Sequence, residues 1–157
     1  MSAEYRTGPH TVYDIQYHFV WTTKYRYKVL TGEVAVRARD LIRQCCEARN
    51  VTILTGHVAR DHVHLHCSSP PELAAGRIAQ FVKGRSSRLL QREFPHLHKR
   101  YGGRHLWARG YFCATVGRVT EDMIKAYIEQ QEAARPGRCL PSRRRRAASA
   151  EMTDFQS

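Results

Sequence analysis

The segment His62 to Ser68, HVHLHCS, alternates polar and apolar residues at every step. Strict alternation is the period of a β-strand with one face in a core, because successive side chains point to opposite faces of a sheet. It follows Val51 to Ala59, VTILTGHVA, a second β-rich run, across Arg60 and Asp61, a turn-compatible break. Two such runs so close together predict an antiparallel hairpin. That hairpin turns Val63 and Leu65 into a core and sets His62, His64 and His66 on the opposite face.

The neighbouring segments supply the rest of a sheet and its cover. Tyr13 to Thr23, YDIQYHFVWTT, is aromatic and β-branched and predicts a strand, followed by a basic aromatic loop at Lys24 to Lys28. From Thr31 to Arg49, Val34, Ala38, Leu41, Ile42 and Cys45 fall on one helical face, with Thr31 placed to cap and Asn50 to end it. Pro70 and Pro71 open a helix from about Glu72 to Glu93, which Pro95 is expected to stop. After a loop at Tyr101-Gly102-Gly103, Leu106 to Val116 predicts a fourth strand, broken by Gly117. Thr120, Glu121 and Asp122 then start a last helix that runs to about Ala134.

The order β-α-β-β-α-β-α is that of the ferredoxin-like split βαβ plan. It predicts an α+β fold: an antiparallel sheet, helices on one face, and an added C-terminal helix. Residues 1–134 form the predicted domain, and the Arg-rich residues 135–157 a basic, disordered tail.

The formal net charge is +12, and the tail holds six Arg against two acids, so +8 belongs to residues 1–134. A basic folded body points to a polyanion partner, because neutralising phosphates releases condensed counterions. No apolar run approaches membrane-spanning length, and the expected setting is cytoplasmic, with no membrane role. Cys45, Cys46, Cys67, Cys113 and Cys139 are odd in number and lack CxxC spacing, which predicts free thiols and neither a disulfide framework nor a structural zinc site.

Two imidazoles at alternate strand positions share a face and can reach one metal ion, and imidazole suits Mn²⁺, Zn²⁺ and similar ions. Asp61 has the opposite parity and is a poor third ligand from that strand. On the last helix Tyr127 and Gln131 are four residues apart and face the same way. On spacing alone, a packed Tyr127 beside a solvated Gln131 explains that helix better than chemistry does.

Four separated segments change the weighting: YHFVWTTKYRYKVL at Tyr17 to Leu30, GHVARDHVHLHCS at Gly56 to Ser68, LWARGYFCATVG at Leu106 to Gly117, and AYIEQQ at Ala126 to Gln131. In content and order they resemble the small single-tyrosine transposases of the HUH superfamily (His, hydrophobe, His), the type carried by the simplest bacterial insertion sequences. The resemblance implies that His62 and His64 are metal ligands, that Gln131 is the third, and that Tyr127 is the nucleophile. It implies cutting of single-stranded DNA at hairpin-flanked element ends, a 5′-phosphotyrosine intermediate, a divalent cofactor (Mg²⁺ or Mn²⁺), and a homodimer whose active sites are shared between subunits. The family has an apolar residue where this chain has His66, which reads as a variant; the Arg-rich tail is not part of the family core.

Cations expected on the DNA are Lys24, Arg26, Lys28, Lys83, Arg85, Arg88, Arg104 and Arg109, with Tyr25, Tyr27 and Trp107 placed to stack on unpaired bases. Gly117 is placed to absorb a dihedral change and let the Tyr127 helix swing. Two other readings stay open from sequence: a domesticated relative acting on palindromic repeat DNA, and a non-catalytic nucleic-acid-binding module.

Overall fold

The computed structural model of the chain describes residues 5–115, 121–133 and 153–154, with the backbone alone for 121–123, 131–133 and 153–154. In chain order the elements are β1 (Arg6–Thr7), β2 (Val12–Tyr13), β3 (Gln16–Thr22), a 3-10 turn (Lys24–Arg26), α1 (Gly32–Glu47), β4 (Thr52–Val58) and β5 (His62–Ser68). They continue with α2 (Ala75–Glu93), α3 (Pro95–Tyr101), β6 (Phe112–Thr115), α4 (Glu121–Ala133) and β7 (Thr153–Asp154).

The predicted β4–β5 hairpin forms the middle of an antiparallel sheet with strand order β6-β3-β5-β4-β7. Without β7, this is the strand order of the ferredoxin-like plan: the last strand beside the first, and the third between the first and second. Alternation sends Phe19 and Trp21 of β3 and Val63, Leu65 and Cys67 of β5 to one face. There they pack with Val34, Ala38, Leu41, Ile42 and Cys45 of α1 and with Ile78, Val82 and Leu90 of α2. Trp21, Leu41 and Leu65 are at most 1% exposed, and burying a side chain of this kind contributes roughly 1.5–3 kcal/mol.

Several boundaries differ from the sequence reading. Tyr13 to Thr23 is not one strand: Val12–Tyr13 folds back on Arg6–Thr7, and β3 begins at Gln16. Arg6 pins that hairpin by donating to the carbonyls of Ser68 and Asn50 at 3.1 and 3.0 Å. Thr31 takes the N-cap place of α1 without a side-chain capping bond. Helix α2 starts at Ala75 and ends at Glu93, the end expected ahead of Pro95, and Pro95 in addition opens a further helix. A proline suits the first turn because its missing N–H has no intrahelical partner there; Gly102, at φ 61°, ends α3 in the left-handed conformation that glycine favours.

Of the predicted strand Leu106 to Val116, Phe112–Thr115 is strand, and Val116 lies outside the described residues. Leu106 and Trp107 are buried, but they enter the core as irregular chain, with one bridge from Thr23 to Trp107. The strand expected from this run is thus present only in its second half, since an apolar run does not by itself fix the backbone conformation of a buried segment. Thr153 and Asp154, assigned to a disordered tail, pair with Val58 and His57 on the edge of β4, where an edge strand presents unpaired backbone groups. Gly117, Thr120 and residues 135–152 lie outside the described residues. Cys45, Cys46, Cys67 and Cys113 are free thiols. Among the described residues no helix is long and apolar enough to cross a membrane.

Candidate functional site

Strand register fixes what faces what on the side of the sheet away from α1 and α2. Val20 of β3 stands opposite both His64 of β5 and Phe112 of β6, and His57 of β4 stands opposite His64. One row across the sheet is therefore Phe112, Val20, His64, His57. The next is Ala114, His18, His66, Thr55. His62 lies at the end of β5, opposite Thr22.

His62 and His64 are thus brought to one face, as the alternation required, and each is prepared differently. The Nδ1 of His62 is 2.9 Å from Asp61 Oδ1. Asp61 is 7% exposed, and its Oδ2 accepts from Arg26 Nε and Nη2 at 3.1 and 2.8 Å. Burial alone would raise the Asp61 carboxyl; the His62 hydrogen bond and the Arg26 charge outweigh it and hold the group below the ordinary carboxylate range. With Nδ1–H donated to a carboxylate, the lone pair of His62 is left on Nε2, the tautomer that carboxylate-backed metal histidines adopt. Asp61, set aside as a ligand from its parity, thus has a supporting place behind the ligand.

His64 is half-buried, and burial first, with its histidine neighbours second, pushes its pKa down to about 4. It is therefore a neutral imidazole near pH 7. Its Nε2 is 3.4 Å from His18 Nδ1. His18 is therefore within hydrogen-bond reach of His64, as a neighbour placed to orient its ring. Burial also lowers the pKa of His18. The His66 ring stacks on His18 at 4.0 Å and 10°, and its Nε2 donates to Gln16 Oε1 at 2.8 Å. Gln16 Nε2 in turn donates to Asp14 Oδ1 at 2.7 Å. His66, read as a mere variant, is part of this stacked array. His18 was missed altogether, and the signal that would have found it is the β3–β5 register.

Among the described residues no three His, Cys, Asp or Glu side chains are grouped to hold an ion. The imidazole nitrogens of His62 and His64 still fit a divalent ion as far as their chemistry goes, provided that a further donor of another type joins them.

Helix α4 packs against β3 and the Lys24–Arg26 turn. Ile128 is buried and Tyr127 half-buried. The Tyr127 ring meets Phe112 at 5.9 Å, and burial raises its phenol pKa. Phe112 belongs to the His64 row, so Tyr127 lies over the histidine face at its β6 end, with two strand spacings, roughly 10 Å, separating β6 from the His64 strand. Gln131 follows one turn later on α4, and its side chain lies outside the described residues.

The eight basic residues separate into groups. Arg88, Arg104 and Arg109 are exposed and, with Arg92 and Lys83, line a groove of about 1050 Å³ between α2 and the 103–110 segment. Arg92 was not anticipated. Lys83 turns its ammonium onto the carbonyls of Ala108 and Gly110 at 2.9 and 2.6 Å, and burial pushes its pKa down to about 8. Arg85 lines a different groove, with Arg49 and Phe81 between α1 and α2. Lys28 is exposed, Lys24 sits 5.3 Å from the Tyr25 ring, and Arg26 is engaged with Asp61. Of the expected stacking residues, Tyr25 is exposed, Tyr27 is contacted by Arg100 and Tyr101, and Trp107 is 3% exposed. Trp107 is therefore a core residue, not a platform for bases.

A family model described as "Transposase IS200 like" matches residues 11–131. The chain is 36% identical over 128 residues to the ISDra2 transposase TnpA of Deinococcus radiodurans, covering 82% of this chain and 91% of that protein. It is 34% identical over 126 residues to the transposase for insertion sequence element IS200 of Salmonella typhimurium, covering 78% and 83%. The crystal structure of a candidate transposase from Deinococcus radiodurans R1 superposes with a TM-score of 0.76 at 35% identity, over 82% of this chain and 99% of that one. At 15% identity, a REP-associated tyrosine transposase bound to a REP hairpin shares the fold, with a TM-score of 0.51 over 82% and 68% of the two chains.

Proposed function

The chain belongs to the family of IS200-like transposases, and from that premise we propose that it cuts and rejoins single-stranded DNA at hairpin-flanked insertion-sequence ends, with Tyr127 as nucleophile and His62, His64 and Gln131 as ligands of a divalent ion. The observation that carries this reading is the shared face: His62 and His64 point to the side of the sheet on which α4 seats Tyr127.

In the proposed cleavage the Tyr127 oxygen attacks the scissile phosphorus as the phenol proton leaves. The bond to the 3′-oxygen breaks, and that oxygen takes up a proton to become a free 3′-hydroxyl. The phosphate stays on Tyr127 as a 5′-phosphotyrosine. A divalent ion (Mg²⁺ or Mn²⁺) would polarise a phosphate oxygen and stabilise the departing one. Asp61 holds the His62 ring in the tautomer that binding needs. Rejoining reverses the sequence: a 3′-hydroxyl attacks the phosphotyrosine and expels the phenolate, whose reference pKa of about 10 makes it a far better leaving group than an alkoxide. The bond energy is kept in the protein link, so no nucleotide is needed.

The groove lined by Arg88, Arg92, Arg104 and Arg109 lies on the helix side of the sheet, and suits a DNA backbone held away from the cutting face. The seat of Tyr127 on Phe112, apart from the histidine strand, suits a homodimer in which a tyrosine helix serves the partner's histidines.

The test is a denaturing gel after incubation with Mn²⁺ or Mg²⁺ and labelled single-stranded hairpin DNA. A covalent protein–DNA adduct is expected that disappears with chelator and in Tyr127→Phe. No adduct across a set of element-end substrates would refute the reading. A non-catalytic binding module predicts that Tyr127→Phe changes nothing, and a domesticated relative predicts the adduct on palindromic repeat hairpins instead.

A further inference from the structure

Arg26 was expected on DNA, and the fold turns it inward. Its Nε and Nη2 hold Asp61 Oδ2, with the two side chains 16% and 10% exposed. The other carboxylate oxygen, Oδ1, is the one that holds His62 Nδ1 at 2.9 Å. The third guanidinium nitrogen, Nη1, reaches the carbonyl of Ile128 at 3.5 Å, and Ile128 is the residue after Tyr127. One planar group therefore touches both the residue that orients a histidine of the site and the helix that carries the tyrosine.

The backbone is bent to allow this. Tyr25 and Arg26 have φ of 61° and 49°, a left-handed conformation that costs a non-glycine residue on the order of 1–2 kcal/mol. Such strain persists where the surroundings over-determine it, and here they do. Thr23 N donates to Asp61 O at 2.9 Å, Lys24 N to Leu106 O at 2.7 Å, and Thr23 Oγ1 to Tyr27 O at 2.7 Å. An arginine meets this demand through its fork of donors; a lysine, a point charge, cannot span both partners.

We propose that Arg26 is a positioning residue that couples the two parts this chain contributes to catalysis: through Asp61 it fixes the His62 ring, and through the Ile128 carbonyl it seats the Tyr127 helix. The chemistry served rests on the function proposed above; the mechanical coupling does not.

The test compares Arg26→Gln and Arg26→Lys with wild type in the full chain. Calorimetric Mn²⁺ affinity is expected to fall about ten- to a hundredfold in both, the usual effect of losing an outer-shell partner. Seating is read without metal or DNA, from the distance between spin labels at Thr52→Cys and Glu129→Cys, with Cys113 and Cys139 replaced by Ser. A narrow wild-type distribution is expected to broaden in both variants. The slope of log affinity for single-stranded DNA against log salt is expected to stay unchanged. Wild-type seating and Mn²⁺ affinity with a slope reduced by about one, the mark of a lost phosphate contact, would overturn the proposal and return Arg26 to the DNA. Loss of one property without the other would also overturn it, since the coupling would be absent. If the wild-type chain binds no ion, the functional reading fails, and the His62 tautomer seen by ¹⁵N NMR replaces the metal arm in the same comparison.

Discussion

Trp107 separates a packing role from a DNA-stacking role. Its indole Nε1 donates to Ser86 Oγ at 2.9 Å, its ring stands edge-on to Trp21 at 5.9 Å and 87°, and it is 3% exposed. Trp107→Phe removes the indole N–H, worth about 1 kcal/mol, and leaves a void of similar cost, so a loss of about 2 kcal/mol is expected. Trp107→Ala should cost about 4 kcal/mol. At about 3 °C per kcal/mol for a chain of this size, midpoints should fall by about 6 and 12 °C. The chain has two tryptophans, so urea unfolding of either variant can be followed by Trp21 fluorescence alone. Affinity for single-stranded DNA, measured at fixed salt where each variant is still folded, should hold within a factor of two or so. An exposed stacking residue gives the opposite pattern: removing it costs roughly 1–3 kcal/mol of binding and little stability. Weakened binding with the unfolding midpoint unchanged in Trp107→Phe would refute the burial argument.

Two further outcomes follow from the same geometry. Burial holds Lys83 at about pKa 8, below its ordinary 10.5, so between those pH values the unfolded chain binds more protons and stability should rise with pH. Urea unfolding of wild type and Lys83→Met at pH 7.5 and 10 should show that rise diminished in the variant; equal pH dependence in the two would count against it. His18→Ala should weaken Mn²⁺ binding by about tenfold on the strength of its 3.4 Å approach to His64, while His66→Ala, one stacking contact further out, should change it by much less; calorimetry on both variants checks the order.

Local pattern carried much of this protein. Alternation in HVHLHCS assigned Val63 and Leu65 to the core and His62 and His64 to the other face, and the helical spacing of Val34, Ala38, Leu41, Ile42 and Cys45 identified the buried side of α1. These were legible because the period of a strand or helix is a property of neighbouring residues. The element order was legible for the same reason, and it implied the strand order that the sheet adopts. What the tertiary structure decided were contacts between residues remote in sequence. His18 reaches His64 across 46 positions because β3 pairs with β5 in one register, and a slip of one residue would turn it away. Arg26 leaves the solvent because a strained turn aims it at Asp61, and Trp107 is buried because Ser86 and Trp21 lie against it. A side chain's type and spacing say which face it can take; whether that face meets solvent, DNA or another helix depends on what the rest of the chain brings over it.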